Sequence, residues 1–274
     1  TIFTYEFEAI IPGLLKRWYA ERQEMQRKMH ECGDNEIEKE FWDKRQLVKK
    51  INLNSLYGAI LNPGCRFFDI RIGQSVTLTG RCITKHMGAK VNEVISGNYD
   101  HRGESIIYGD TDSVYFSAYN SLQNEITSGK VPWQKENIIN LYDKISDEVN
   151  GTFTGFMTKA FHCPKTRGEV IKAGRELVAS KGLFITKKRY AVLYFDKEGE
   201  RTDTAGEPGK MKAMGLDLKR SDTPVFVQDF LSELLMLVLT NKNEKQVLDR
   251  ISEFREEFKA RPGWEKGSPK RANN

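Results

Sequence analysis

The chain has 274 residues, 39% of them hydrophobic, with 43 basic against 38 acidic side chains. This length fits one large or two ordinary domains, and the hydrophobic share excludes a mostly disordered chain. The longest apolar run, at 234–239, is far shorter than the roughly 20 residues of a membrane-spanning helix, so we expect neither a membrane nor a secreted protein. The net charge of +5 permits a polyanionic partner without requiring one.

Three helices are predicted in the first third of the chain. Apolar residues recur at helical spacing over 10–18, and Pro12 suits the first turn of this helix. Residues 32–35 interrupt this pattern, and a second helical stretch without Pro or Gly runs from 36 to about 57. The two stretches should form a helical hairpin with arms of about 20 residues. Asn62-Pro63-Gly64 is expected to end the second helix, and a third is predicted over 75–95.

The rest of the chain mixes strands with helices. The β-rich runs 105–108 and 113–116 flank the turn residues 109–112, which indicates a β-hairpin. A helix is expected over 137–157, strands over 170–195 with an interruption at 179–182, and a second hairpin turn at 196–199. A last apolar helix over 225–239 should have Pro224 in its first turn and Ser221 or Asp222 as its cap. Because helices and hairpins segregate along the chain, the predicted fold class is α+β.

The strongest local signal is the string YGDTDS at 108–113. It places Asp110 and Asp112 at the tip of a hairpin with apolar arms, where an unpaired charge is costly. Mg²⁺ takes one or two protein carboxylates plus substrate phosphates, so this tip suits a two-metal phosphoryl-transfer site. A bare pair of aspartates in this spacing also fits an ordinary β-turn.

A second signal lies on the second predicted helix. Lys50, Asn54 and Tyr57 fall within about 40° of one another around a helix, so they share one face. A cation, an amide and an aromatic ring can hold a triphosphate, contact a sugar or base edge and stack beside a base pair. Arg22, across the hairpin, should lie within about 8 Å of Lys50 along the axis. The alternative is a solvated polar face with a buried tyrosine.

Together these motifs resemble those of family B DNA polymerases. Residues 50–58 match the Kx₃NSxYG helix of that family, residues 108–113 its YGDTDS hairpin and residues 187–190 its KKRY segment. The stretch 214–224 resembles the palm-to-thumb region of T-even-type phage replicative members. The resemblance covers nearly the whole chain. It implies helical-hairpin fingers over 1–62, a partial palm with an antiparallel β-hairpin and flanking helices over 63–222, and the start of a thumb over 223–274.

The resemblance also implies roles for the matched residues. The residues that would bind the incoming dNTP are Arg22 and Lys50 on its triphosphate, with Asn54 and Tyr57 lining the pocket for the nascent pair. The acidic residues at the two Mg²⁺ ions would be Asp112 as a ligand of both, Asp110 beside them and Glu176 as an accessory carboxylate. The residues at the primer-template DNA would be Lys187, Lys188, Arg189 and Tyr190. On physical grounds alone, the basic stretch 187–189 could also be a solvated strand end.

The sequence departs from the family pattern in two places. A Lys commonly follows the finger Arg by four residues, and here that position is Gln26, with Arg27 and Lys28 beside it. The DxxSLYPS motif, which supplies the second metal-binding aspartate, and the acidic exonuclease motifs do not occur in the sequence. The first residue is Thr1 rather than Met, and the basic stretch 268–274 has no closing element, so both ends look cut.

We therefore interpret the chain as an incomplete portion or split subunit of a DNA-directed DNA polymerase of DNA replication. Such an enzyme joins a primer 3′-hydroxyl to the α-phosphate of a dNTP. We expect it to be inactive without the missing N-terminal part, and to act in the cytoplasm, that of the host if it is encoded by a phage. A polypeptide carrying the exonuclease and DxxSLYPS regions, and a sliding clamp, are the expected protein partners. The alternatives are a non-catalytic nucleic-acid-binding remnant of a polymerase and a two-metal nuclease.

Overall fold

The computed structural model of the chain describes residues 2–267 and divides into two compact units. One unit comprises Thr1–His86 with Phe153–Val170, and the other comprises Met87–Thr152 with Ile171–Asn274. The division into fingers, palm and thumb uses different boundaries and stays a prediction. The basic stretch at the end of the predicted thumb lies outside the described residues.

The first unit begins with the helical hairpin that the sequence predicts. Helix α1 spans Ile10–Glu31 and helix α2 spans Glu36–Ile60. The side chain of Asn35 caps α2 by accepting a hydrogen bond of 3.3 Å from the backbone N–H of Glu38, which satisfies one of the donors left free at a helix start. The second helix ends just before residues 62–64, as the Pro-Gly pair there predicts.

Helix α3 spans Ile70–Ser96 and begins five residues before its predicted start at 75. The reason lies in Asp69, whose carboxylate accepts a hydrogen bond of 2.9 Å from the backbone N–H of Arg71. Such a bond at a helix start stabilises the first turn. The apolar pattern alone does not reveal it, so the predicted boundary is too late.

The predicted β-hairpin lies in the second unit. Strands β1 (Ile106–Asp110) and β2 (Ser113–Phe116) are antiparallel, and Asp110 pairs with Ser113 across the turn. The connection is therefore only two residues long, which places Thr111 and Asp112 at the tip. A short helix α4 (Gln123–Thr127), which the sequence pattern does not predict, follows.

Two further helices precede the second sheet. Helix α5 spans Lys135–Phe161 and extends the prediction of 137–157 at both ends. A single helical turn, α6, occupies Lys165–Gly168.

The second sheet has four antiparallel strands around β4. In chain order they are β3 (Leu177–Thr186), β4 (Arg189–Lys197), β5 (Glu200–Arg201) and β6 (Lys210–Met214). β4 pairs with β3, β5 and β6. The turn predicted at 196–199 connects β4 to β5, whereas β6 is not predicted by the sequence pattern.

The predicted interruption at 179–182 is wrong, because β3 runs through these residues without a break. Register shifts on both sides of Ala179 absorb the irregularity, and each shift marks an extra residue in one strand. The chain reverses instead after Thr186, where Lys187 and Lys188 form a two-residue connection to β4. Lys188 has φ +63°, the left-handed conformation that tight turns require.

Two helices close the described chain, α7 (Val225–Leu239) and α8 (Glu244–Ala260). α7 has the predicted bounds, but Pro224 is itself the residue before the helix, so the predicted caps Ser221 and Asp222 are wrong. α8 is not predicted by the apolar pattern.

The core of the second unit lies between one face of the second sheet and α7. Fully buried apolar residues form its centre, namely Ala191, Leu193, Ala213, Leu216, Leu218 and Leu239. Helices with small antiparallel sheets confirm the α+β class. Over residues 2–267, none of the helices has the length and apolar character of a membrane span.

Candidate active site

The tip of the β1–β2 hairpin presents its two carboxylates differently. Asp110 is the last residue of β1 and is partly buried, whereas Asp112 lies in the turn and is exposed. Thr111 between them has φ +53°, and Ser113 donates a hydrogen bond of 3.2 Å to the carbonyl of Asp110. Within the described part of the chain, the carboxylate of Asp112 has neither an ion pair nor a hydrogen bond. It is therefore free to bind a cation.

Asp110 faces the ammonium group of Lys188, and the two atoms Oδ2 and Nζ are 2.7 Å apart. Thr111 donates a further hydrogen bond of 3.2 Å to the other carboxylate oxygen. The hydrogen bond from Lys188 holds the pKa of Asp110 below its ordinary value against the opposing effect of burial, and the bond from Thr111 adds to this. The structure thus brings together a predicted metal-site residue and a predicted DNA-binding residue.

Four aromatic rings pack against one another next to this ion pair. The rings of Tyr108, Tyr115, Phe184 and Tyr190 lie with centroids 5.3 to 6.3 Å apart. The hydroxyl groups of Tyr115 and Tyr190 are 3.2 Å apart, and that of Tyr108 accepts a bond of 2.8 Å from the backbone N–H of Lys188. Burial, and then the hydrogen bond to Tyr190, raise the pKa of Tyr115. We refer to these four residues as the aromatic platform.

The platform changes the interpretation of the basic turn. Tyr190 is buried, with 9% of its surface exposed, so in this structure it supports the turn and offers little surface to DNA. Lys187 and Lys188 are exposed at the turn itself, and Arg189 is exposed with a guanidinium nitrogen 3.5 Å from Asp217. The surface that could meet a polyanion therefore consists of three cations.

Glu176 lies immediately before β3 and does not join the two aspartates. Its carboxylate is 2.7 Å from the ammonium group of Lys212 on β6, and its carbonyl accepts a bond of 2.8 Å from the N–H of Glu198. Among residues 2–267, no group of three or more Asp, Glu, His or Cys side chains is arranged to hold a metal ion. The assignment of Asp110, Asp112 and Glu176 to the metal site stays a prediction.

The candidate nucleotide residues lie in the first unit. Lys50 and Asn54 are exposed on α2, and the hydroxyl of Tyr57 lies 3.5 Å from the carbonyl of Gly73. Arg22 donates a bond of 3.1 Å to Gln46. Gln46 precedes Lys50 by about one helical turn, or about 6 Å. Arg22 is therefore displaced from Lys50 along the hairpin axis by about the distance that the sequence predicts.

The neighbouring cations are already engaged. Lys49 faces the seam between the two helices and pairs with Glu21, whereas Lys50 has no ion pair in the part of the chain that is described. Arg27, next to the departure at Gln26, pairs with both Glu24 and Glu31, and these two bonds raise its pKa.

Comparison with known proteins identifies the family. A sequence model of DNA polymerase family B matches residues 4–160 and 168–261. The chain belongs to DNA polymerase family B. Its relatives include the DNA-directed DNA polymerase of Escherichia phage RB69, 31% identical over 204 residues, which are 71% of this chain and 22% of that protein.

Members from other sources are also similar. The DNA-directed DNA polymerase of Enterobacteria phage T4 is 28% identical over 228 residues, 78% of this chain and 24% of that protein. The DNA polymerase delta catalytic subunit of Oryza sativa subsp. japonica is 29% identical over 238 residues, 86% of this chain and 18% of that protein. This family B chain thus spans about a quarter of the length of the phage relatives.

Family B membership implies a divalent metal, and the residues present fit one in part. Asp112 offers hard carboxylate oxygens that are exposed and unpaired, which suits Mg²⁺ bound mostly by water and substrate phosphates. Asp110 could contribute only in competition with Lys188. A complete cage made by this chain alone is not among the described residues.

Helix α3 contains a candidate surface that the motif analysis does not reveal. From Ile70 to Asn92 it has no Asp or Glu. Arg81 and Lys85 are exposed on it about one turn apart, and neither has a carboxylate partner among the described residues. Unpaired cations on a helix face without carboxylates are typical of surfaces that contact nucleic-acid phosphates. The absence of Asp and Glu from residues 70–92 is the sequence feature that indicates this surface.

Proposed function

We propose that this chain is the fingers, the C-terminal part of the palm and the first thumb residues of a DNA-directed DNA polymerase. The observation that carries the proposal is the tip of the β1–β2 hairpin, where an unpaired Asp112 lies beside Asp110, which pairs with Lys188. Nucleotidyl transfer by such an enzyme joins a primer 3′-hydroxyl to the α-phosphate of a dNTP and releases pyrophosphate.

The palm residues have separate tasks in this proposal. Two bound Mg²⁺ ions would supply activation of the 3′-hydroxyl and compensate the charge of the leaving group. Asp112 would hold the metals through its free carboxylate, with Asp110 beside it. Lys187 and Lys188 bind phosphates of the primer-template, which places the primer end near the hairpin tip. Asp110 is ionised at neutral pH, and the hydrogen bond from Lys188 lowers its pKa further.

The fingers residues bind the incoming nucleotide. Lys50, exposed and without an ion pair among residues 2–267, contacts the triphosphate, and Arg22 assists from the opposite helix. Asn54 and Tyr57 line the pocket for the nascent base pair. An aromatic ring and an amide on the same helix face can contact a base pair without reading its sequence.

We also propose that a further polypeptide segment completes the active centre. The sequence has no DxxSLYPS motif, and Glu176 is engaged by Lys212, so the described residues supply too few ligands for two metals. The missing aspartate would come from a part that carries the exonuclease and DxxSLYPS regions, whether in the same protein or as a separate subunit. A sliding clamp as a partner, and action in the cytoplasm, that of the host if the chain is encoded by a phage, also belong to this proposal.

A nucleotide-incorporation assay tests these proposals. The chain is mixed with a polypeptide carrying the exonuclease and DxxSLYPS regions, and extension of a labelled primer is followed with Mg²⁺. We expect extension only in the mixture. Asp112→Asn should abolish extension while sparing duplex binding, Asp110→Asn should be severe, and Glu176→Gln should be milder. Near-normal turnover in Asp112→Asn would refute the site assignment, and extension by the chain alone would refute the incomplete centre.

A second candidate is a non-catalytic nucleic-acid-binding remnant of a polymerase. The pairing of Glu176 with Lys212 and of Asp110 with Lys188 favours it, because both carboxylates are already neutralised. Primer-template binding without extension in any mixture would support this candidate. Mg²⁺-dependent cleavage of the DNA would instead support a two-metal nuclease.

A further inference from the structure

Helix α2 has an apolar stripe that faces solvent. Ile37, Phe41, Val48 and Ile51 follow one another at separations of four, seven and three residues, which places them on one side of the helix over about 21 Å. All four are exposed, from 48% for Phe41 to 85% for Ile37. Lys50 lies more than about 100° around the helix from the stripe, so the stripe and the candidate nucleotide face are separate.

A groove runs beside this stripe, between α2 and α1. It has a volume of about 390 Å³ and is lined by Met25 of α1 and by Phe41, Lys44, Arg45, Val48 and Lys49 of α2. Its floor is apolar and its rim is cationic. Cavities of roughly 300 Å³ and more accommodate ligand-sized groups, so one or two apolar side chains of a partner fit here.

The rim has one uncompensated positive charge. The ammonium group of Lys44 is 2.7 Å from Glu40, and Lys49 pairs with Glu21. Arg45 has no carboxylate partner among the described residues, and its guanidinium carbon lies 5.1 Å from the centre of the Phe41 ring. A guanidinium held against a ring keeps its N–H edge available for a carboxylate.

We propose that this groove binds an acidic amphipathic helix of a partner protein. Apolar residues of such a helix, spaced three and four apart, would fill the groove and cover the stripe, and a carboxylate would pair with Arg45. A third helix packed along a helical hairpin forms a three-helix bundle, which buries the apolar side chains that α2 leaves exposed.

Single-stranded nucleic acid fits the groove less well. Base stacking needs a free ring face, but the ring of Phe41 is covered by Arg45, and that of Trp42 by Lys28 at 4.7 Å. The apolar floor and the covered ring faces favour a peptide.

A fluorescence anisotropy titration tests the proposal with the full 274-residue chain. The probe is a labelled helical peptide of about three heptads with leucine at the apolar positions and glutamate elsewhere. We expect saturable, weak binding, as is typical of small transient interfaces. Peptides with lysine in place of glutamate, or with the leucines scrambled, should bind at least about tenfold more weakly, because each lacks one half of the complementarity.

Variants locate the binding surface. Arg45→Glu and Val48→Glu should each weaken binding at least about tenfold, whereas Lys16→Glu, the same charge reversal on the far side of α1, should change it less than about twofold. The three side chains are exposed, so we expect each variant to fold, and circular dichroism checks this.

Four results would overturn the proposal. Unchanged binding in Arg45→Glu, or equal affinity for the lysine peptide, would show that the groove does not select an acidic helix. Displacement of the peptide by oligo-dT would indicate a nucleic-acid site. Self-association of the chain that is lost in Val48→Glu would indicate that a second copy covers the stripe. The outcome is independent of primer extension.

Discussion

Lys187 and Lys188 occupy the same turn but differ in charge balance, and this difference predicts different effects on DNA binding. The ammonium group of Lys188 is 2.7 Å from the carboxylate of Asp110. Lys187 has no ion pair within residues 2–267. A paired cation releases fewer counterions from DNA than an unpaired one, since its charge is already compensated. Lys187 should therefore contribute most to the salt dependence.

The size of the effect follows from counterion release. Each phosphate contact contributes about 0.9 to the slope of log K against log salt for duplex DNA. Lys187→Ala should lower the slope by about this amount, so the ratio of affinities at about 50 and 200 mM salt should shrink about 3.5-fold. Lys188→Ala should change the slope less but weaken binding at every salt concentration, because it leaves the Asp110 carboxylate unpaired near the phosphates. Asp110→Asn should increase the slope, because it frees Lys188.

Anisotropy of a labelled primer-template, titrated at several KCl concentrations without divalent cations, measures these slopes. Lys130→Ala, an exposed lysine in the segment before α5, is the matched control and should leave the slope unchanged. An unaltered slope in Lys187→Ala would refute the DNA contact. Equal slopes in Lys187→Ala and Lys188→Ala would show that the ion pair with Asp110 does not hold in solution.

Three further predictions concern nucleotide binding and stability. In an assembled enzyme, Lys50→Ala should raise the apparent KM for dNTP by about tenfold or more, as expected when a charge-assisted hydrogen bond is lost. The control variant Lys39→Ala should leave this KM unchanged. A fall in DNA affinity with unchanged dNTP kinetics in Lys50→Ala would contradict the assignment. Arg175→Met leaves the buried Asp196 without its ion-pair partner and should cost about 3 kcal/mol in urea unfolding; Asp196→Asn should recover part of that loss in the double variant. The lowered pKa of Asp110 means that its ion pair stabilises the fold above about pH 4 and is lost as the pH falls through that pKa. The difference in urea midpoint between the wild type and Asp110→Asn should therefore disappear in acid, and a constant difference down to pH 2 would contradict the assignment.

The sequence predicts those elements whose signals are local. The hairpin of α1 and α2, the β1–β2 turn and the bounds of α7 follow from breaks and apolar spacing over a few residues. Helix α8 is missed because charged residues dominate it, although Asn243 and Gln246 form a capping box that announces its start. At residues 179–182 the sequence instead predicts a break that the structure does not have. Small and polar residues there suggest a break, but pairing with β4 on one side holds β3 together through its bulges.

The site combines residues that no local pattern can bring together. Asp110 and Lys188 are 78 residues apart, and Tyr115 and Tyr190 are 75 apart. The resemblance gives each residue a role but not a neighbour. It consequently treats the aspartate as a metal-site group and the lysine as a DNA contact, without predicting that each neutralises the other. Ion-pair partners over such separations depend on how the two hairpins pack, which motif spacing does not encode.

The aromatic platform explains why this particular pair forms. Side chains two residues apart on a strand project to the same face. Tyr108 precedes Asp110 by two residues on β1, so their side chains share a face. Lys188 lies in the turn that leads into β4, two residues before Tyr190. The rings of Tyr108 and Tyr190 pack with centroids 5.5 Å apart, which holds this turn next to the end of β1. The bond from the Lys188 N–H to the Tyr108 hydroxyl fixes the turn in this position. The charge balance at the candidate metal site is thus set by apolar packing one strand repeat away.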